Sequence, residues 1–216
     1  MMIEAVIWDF GGVLTSSPFE AFNRYEDEQG IPRDFIRMVN ATNPDSNAWA
    51  QFERSEISLD EFDRRFAAES EVLGHAVPGR EVIALLGGDL RPEMVRALQV
   101  CQGRYRVGCI TNNVSAGEGP GMARDQRRAQ AIGDVMALFH HIIESRLAGV
   151  RKPDPRIYLM ACDALGVVPE RAVYLDDLGV NLKPARELGM RTIKVVDPAA
   201  ALDELETILG HSLRDA

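Results

Sequence analysis

Cysteine is scarce in this chain: Cys101, Cys109 and Cys162 stand far apart, with no CxxC spacing. An odd, scattered set excludes a disulfide framework and a zinc knuckle, and leaves reduced thiols, the expectation for a cytoplasmic protein. No apolar stretch approaches the roughly 18 residues that cross a bilayer. The first residues also lack the basic segment of a secretory leader, so a membrane partner is not expected. Basic charge is short as well. Lys and Arg number 24 against 33 Asp and Glu, a net charge of −9, and such a surface repels nucleic-acid phosphate and anionic lipid. Internal repeats and low-complexity segments are absent. The one glycine-rich loop, 115–121, lacks the Lys-Ser/Thr ending of a phosphate-cradling loop and reads as a turn or a mobile lid.

What remains is an ordinary globular balance, 46% hydrophobic and 26% charged residues over 216 positions, enough for one large domain with a modest second module. The pattern divides in two. An apolar run, Ala5-Val6-Ile7-Trp8, ends at Asp9 and breaks into Phe10-Gly11-Gly12-Val13-Leu14-Thr15. Positions 16–87 then carry helical signals only. Ser17-Pro18-Phe19-Glu20 and Ser58-Leu59-Asp60-Glu61 have capping-box spacing, Pro32 opens a second helix through Ile36 and Val39, and Pro78 opens another. From about Leu90 short apolar strands alternate with helices: strands at 106–110, 141–144, 172–175 and 191–196, helices at 92–100, 124–139, 155–165, 178–188 and 199–209. Cys109 falls inside the first of these strands.

This alternation calls for an α/β fold, a Rossmann-like parallel sheet with helices on both faces. The expected division is a core of 1–15 and 91–216, interrupted by an all-helical insertion at 16–90. Polar sites in such sheets lie beyond the carboxyl ends of the strands. There the chain places Asp9, then Thr111-Asn112-Asn113, then Asp176-Asp177, with Lys152 in Arg151-Lys152-Pro153-Asp154 just before a helix. Singly, each has a plainer role: Asp9 as a turn residue, Thr111, Asn112 or Asp177 as helix caps, Lys152 as a solvated loop lysine. Together they gather several carboxylates at one sheet edge. Carboxylates in a small space repel one another unless cations join them, and an oxygen-rich set suits Mg²⁺ beside Lys152.

In this arrangement the chain resembles the haloacid dehalogenase-like hydrolase superfamily over nearly its whole length. The family's four motifs correspond in order to Asp9-Phe10-Gly11-Gly12-Val13, Thr111-Asn112, Lys152-Pro153 and Asp176-Asp177, and the insertion is similar to its cap of the first type. The Gly-Gly-Val-Leu and Thr-Asn-Asn segments are similar to the phosphatase branch that includes the N-terminal domain of soluble epoxide hydrolase and domains attached to acyl-CoA dehydrogenases. The resemblance implies a phosphatase acting on a small phosphorylated metabolite. In it Asp9 is the nucleophile. Mg²⁺ is held by Asp9, the main-chain oxygen of Gly11 and Asp177, with Asp176 as a further partner. Thr111, Asn112 and Asn113 hold the phosphoryl group, and Lys152 neutralises charge.

One position departs from the pattern. The family's phosphatases carry a second Asp two residues after the nucleophile, as general acid and base; here it is Gly11. Thr15, Ser16, Glu20 or ordered water are the available stand-ins. Two other readings stay open: a phosphate-binding or interaction domain of the same fold, and a metal-independent 2-haloacid dehalogenase. The dehalogenases typically carry a Ser-Ser-Asn type sequence where this chain has Asp176-Asp177. In the insertion, Trp49, Phe52 and Arg54 either face the substrate or form its interior, with Arg54 paired to Glu56 or Glu53. Asn181 and Lys183 either orient the Asp pair or cap a helix. His140 and His141 flank a strand without metal-ligand neighbours, His75 and His211 read as loop and terminal residues, and the oligomeric state is not legible.

Overall fold

The computed structural model describes residues 2–112 and 126–214. Five strands, β1 (Ala5–Trp8), β2 (Arg106–Thr111), β3 (His141–Glu144), β4 (Ala172–Asp176) and β5 (Arg191–Lys194), form one parallel sheet in the order β3-β2-β1-β4-β5. β1 is central, which explains its unbroken apolar run: side chains on both of its faces are buried. Val6 and Trp8 join one core, with α6 (Pro92–Gln102), α7 (Gln126–Met136) and α11 (Pro198–Leu209). Ala5 and Ile7 join the other, with α9 (Pro155–Leu165) and α10 (Gly179–Glu187). Helices therefore cover both faces, as the alternation of strands and helices requires. The fifth strand is shorter than the expected 191–196. Val195 N still donates to Asp176 O at 3.0 Å, but β4 ends at Asp176, so Val196 has no ladder partner and is exposed.

Five helices lie between β1 and α6: α1 (Pro18–Gln29), α2 (Phe35–Ala41), α3 (Ala48–Glu53), α4 (Leu59–Val72) and α5 (Gly79–Ala84). They enclose an aromatic core of their own, with Phe52 stacked on Phe62 at 4.5 Å and Trp49 edge-on to Phe62 at 5.7 Å. Ser58 caps α4 as its sequence box predicts, accepting from Glu61 N at 3.2 Å. The second helix begins later than its Pro32 signal. Asp34 adopts a left-handed backbone, and the buried Glu26 carboxylate of α1 accepts from Asp34 N at 2.7 Å and Ile36 N at 2.8 Å. A side chain from another helix thus caps α2, which no local signal could show. The chain enters and leaves this insertion through two adjacent strand-like crossings. Thr15 bridges Leu90, Ser16 N donates to Asp89 O at 2.8 Å, and Arg91 N donates to Leu14 O at 2.8 Å.

Glu26→Ala is expected to lower unfolding free energy by about 3 kcal/mol, because it strips charge-assisted acceptors from two amides, one of them fully buried. Urea titration followed by circular dichroism measures this. A loss below about 1 kcal/mol would mean that water serves those amides equally well.

Candidate active site

Parallel register sets the site. Trp8 lies level with Cys109 on one side and Leu175 on the other, so Asp9 leaves β1 beside the ends of both neighbours. Its amide still donates to Leu175 O at 2.8 Å, which fixes the backbone there. Asp176 ends β4 and Thr111 ends β2. Carboxylate oxygens of Asp9, Asp176 and Asp177 can all lie within 4.8 Å of one another. Into this cluster comes Lys152, itself buried, with Nζ at 2.7 Å from Asp9 Oδ1 and 2.9 Å from Asp176 Oδ2. The Lys152 main chain is fastened by Asn112: Lys152 N donates to Asn112 Oδ1 at 2.9 Å, and Asn112 Nδ2 donates to Lys152 O at 3.1 Å. The Asn112 side chain is thereby committed to the lysine loop. Thr111 is buried at the end of β2. Asn113 and the glycine-rich loop 115–121 lie outside the described residues.

The three aspartates have different surroundings. Asp9 Oδ1 receives Phe10 N at 2.7 Å as well as Lys152, whereas no hydrogen bond from the described residues reaches its Oδ2. Asp176 has no exposure, and both its oxygens are occupied. Leu178 N donates to Oδ1 at 2.8 Å, Asn181 Nδ2 lies 3.0 and 3.1 Å from the two oxygens, and the Tyr174 hydroxyl and Lys152 bind Oδ2. Asp177 is only half-buried, and among the described residues its one side-chain donor is Ser17 Oγ at 3.4 Å. Among the described residues Asp176 is thus taken up by Lys152 and its other donors, while Asp9 and Asp177 each keep an oxygen without a side-chain partner.

Electrostatics agree with the geometry. Burial pushes the Asp9 carboxyl well above its ordinary range; Lys152 opposes the shift, and Asp176 and Asp177 add to it. Burial together with Asp176 raises Asp177 to about 6. Burial alone would lower the Lys152 pKa, but Asp176 and Asp9 overcome it and hold the ammonium above its usual value. One ammonium among three carboxylates leaves a deficit of positive charge that a hard divalent cation would fill. Two adjacent glycines shape the mouth. At Gly12 φ is +78°, and a Cβ there would overlap the Asp177 carboxylate, so only glycine fits. Gly11 is exposed, has no left-handed backbone, and apart from its chain neighbours no heavy atom of the described residues lies within 4 Å of where a Cβ would stand.

The other candidates make no hydrogen bond to the three aspartates among the described residues. The hydroxyl of Thr15 donates to Ser16 O at 3.3 Å, and Ser16 Oγ accepts from Asp89 N at 3.0 Å. Both bonds belong to the crossings, and the Glu20 side chain lies outside the described residues. Arg54 grips Glu56 through Nε at 2.6 Å and Nη2 at 2.8 Å. His140 Nδ1 accepts from Val107 N at 2.9 Å. Sequence reasoning missed Tyr174 and Ser17. Tyr174 had a usable signal, since a residue two before Asp176 on one strand shares its face. Ser17 had none, because its contact with Asp177 crosses 160 positions.

Residues 3–189 match the family model of the haloacid dehalogenase-like hydrolases, and the chain belongs to that family. Among curated proteins it is 34% identical over 215 residues to acyl-CoA dehydrogenase family member 10 of Mus musculus, covering 97% of this chain and 19% of that protein. It is 31% identical over 227 residues to mouse bifunctional epoxide hydrolase 2, covering 100% of this chain and 40% of that protein. The chain thus spans less than half the length of these two relatives. It is also 32% identical over 212 residues to phosphatase MT3486 of Mycobacterium tuberculosis, covering 90% and 88% of the two chains. A solved structure of a haloacid dehalogenase family enzyme from Bacteroides thetaiotaomicron, in complex with magnesium and inorganic phosphate, superposes with a TM-score of 0.58. It covers 89% of this chain and 93% of that one at 20% identity, a likeness of fold.

Lys152→Met is expected to cost about 3–5 kcal/mol of stability, because it leaves two buried carboxylates face to face. Adding a divalent cation should recover part of the loss, which paired urea titrations with and without Mg²⁺ would measure. A variant as stable as wild type would mean that Asp9 and Asp176 do not depend on this ammonium.

Proposed function

We propose that this chain is a Mg²⁺-dependent phosphatase acting on a small phosphorylated metabolite through an aspartyl-phosphate on Asp9. The observation that carries the reading is Asp9 itself, with Oδ1 held by Lys152 and Phe10 N, Oδ2 accepting no hydrogen bond from the described residues, and the carboxylates of Asp176 and Asp177 gathered beside it. A relative named as a phosphatase and a similar fold solved with magnesium and phosphate support it. In this reading 1–15 and 91–216 form the catalytic core and 16–90 the cap, with the crossings at Thr15 and Leu90 as its joint.

Asp9 Oδ2 attacks phosphorus; its bond to phosphorus forms as the ester P–O bond breaks, and the alkoxide leaves. Water then attacks the acyl phosphate, releasing inorganic phosphate and regenerating the carboxylate. Lys152 orients Asp9 and offsets charge on the transferring group, while Asp176, held by Tyr174 and Asn181, orients Lys152. Thr111, the Asn112 main chain and Asn113 would hold phosphoryl oxygens. Asp9, Asp177 and the main-chain oxygen of Gly11 would hold Mg²⁺, with Asp176 behind them, and bound there it would supply the countercharge this cluster lacks. With glycine at position 11, proton transfer to the leaving oxygen falls to solvent. A good leaving group suffers least, so a sugar 1-phosphate or an acyl phosphate is the favoured substrate class. The same glycine favours one rival, a domain that binds phosphate without turning it over.

Hydrolysis of an aryl phosphate decides between them. Wild type should turn over slowly, lose turnover in EDTA and regain it with Mg²⁺, while Asp9→Asn should be inactive. Gly11→Asp fits the open space at that position and should raise kcat by roughly 10²–10⁴-fold, the usual contribution of a general acid–base group. No turnover in wild type with rescue by Gly11→Asp would establish the binding domain. Halide release from a 2-haloacid, indifferent to EDTA, would establish a dehalogenase.

A further inference from the structure

Glu53, the last residue of α3, is a buried carboxylate that the proposed mechanism leaves unused. Burial raises its pKa, and Arg151 is the chief opposing influence. Its Oε2 lies 2.6 Å from Arg151 Nε, an ion pair formed off the N–H direction, and the Trp49 side chain, one turn back on α3, also favours the charged form. Two further bonds join the same places. Ser145 Oγ, in the short helix α8 (Ser145–Ala148), donates to Glu53 O at 2.9 Å, and Arg151 Nη1 donates to Pro44 O at 2.9 Å. Everything the insertion grips here belongs to the connection between β3 and α9, the stretch that carries Lys152. Arg151 is the residue before that lysine, whose main chain Asn112 fastens from the other side.

A carboxylate taken from water is costly unless a cation meets it in good geometry. Glu53 meets its cation only when the insertion sits against the core, and Arg151 is the neighbour of the residue that must hold Asp9. We propose that Glu53 and Arg151 form a clasp that seats the helical insertion on the Lys152 loop, making Glu53 a positioning residue that acts on Lys152 through Arg151. Its kinetic consequence rests on the phosphatase reading above; the clasp itself does not. Glu53 is not the missing acid and base, because its carboxylate is paired with Arg151 and makes no hydrogen bond to the aspartates or their partners among the described residues.

The test is a double-mutant cycle with Glu53→Gln and Arg151→Gln, read two ways. Hydrogen–deuterium exchange should rise at 44–54 and 145–152 in each single variant, with the Phe62–Phe66 turn of α4 as protected as in wild type. In aryl phosphate hydrolysis each single variant should lose roughly tenfold in kcat/KM, and the double variant should lose no more than either, the mark of a coupled pair. Additive losses, or wild-type exchange at 145–152 in Glu53→Gln, would overturn the clasp. Raised exchange without any turnover in wild type would uphold the clasp and sink the phosphatase reading. General loss of protection, α4 included, would show the pair to be ordinary support for the fold and would also overturn the proposal.

Discussion

The Lys152 ammonium between Asp9 and Asp176 is the interaction on which the rest of the site depends. A parallel sheet brings carboxylates from adjacent strand ends together by register, and burial makes their mutual repulsion expensive. Lys152 relieves it for two of the three. Much of the surrounding structure serves to place that one ammonium. Asn112 fixes its main chain, Asp176 receives its charge, and Tyr174, Asn181 and Leu178 N saturate the remaining acceptor capacity of Asp176.

This division of labour leaves an asymmetry that chemistry can use. Asp176 is closed, with every oxygen occupied and no exposure. Asp9 and Asp177 are open, each with an oxygen that accepts no side-chain hydrogen bond among the described residues. The motif therefore holds two neighbouring aspartates of opposite character, one structural for the lysine and one available to a cation. Gly11 and Gly12 differ in the same way. Gly12 is required because its backbone is left-handed and the Asp177 carboxylate lies beside it, whereas Gly11 borders space open among the described residues, and its lack of a side chain is a chemical fact, not a steric one.

Some of this was legible along the chain. The apolar run ending at Asp9, the alternation after Leu90 and the paired aspartates gave the sheet, its order of chemistry and the cationic partner, because strand periodicity and strand-end polarity are local properties. The delayed start of α2 was not legible, since its cap comes from Glu26 in another helix. Nor was the role of Asn181, which had two equal readings until its amide was seen on Asp176. Trp49 and Phe52 resolve into the insertion's interior and Arg54 pairs with Glu56, while Glu53, between Phe52 and Arg54, reaches Arg151.

The sequence by itself determined which residues stand at the strand ends, and that one of them, at position 11, lacks a carboxylate. Those are matters of residue type and period. Only the tertiary structure decided how the aspartates share Lys152, that Ser16 Oγ meets Asp89 N, and that Glu53 meets Arg151. Each of those depends on atoms brought within about 3 Å from elements far apart in the chain, and on which oxygens remain once every buried donor has found its acceptor.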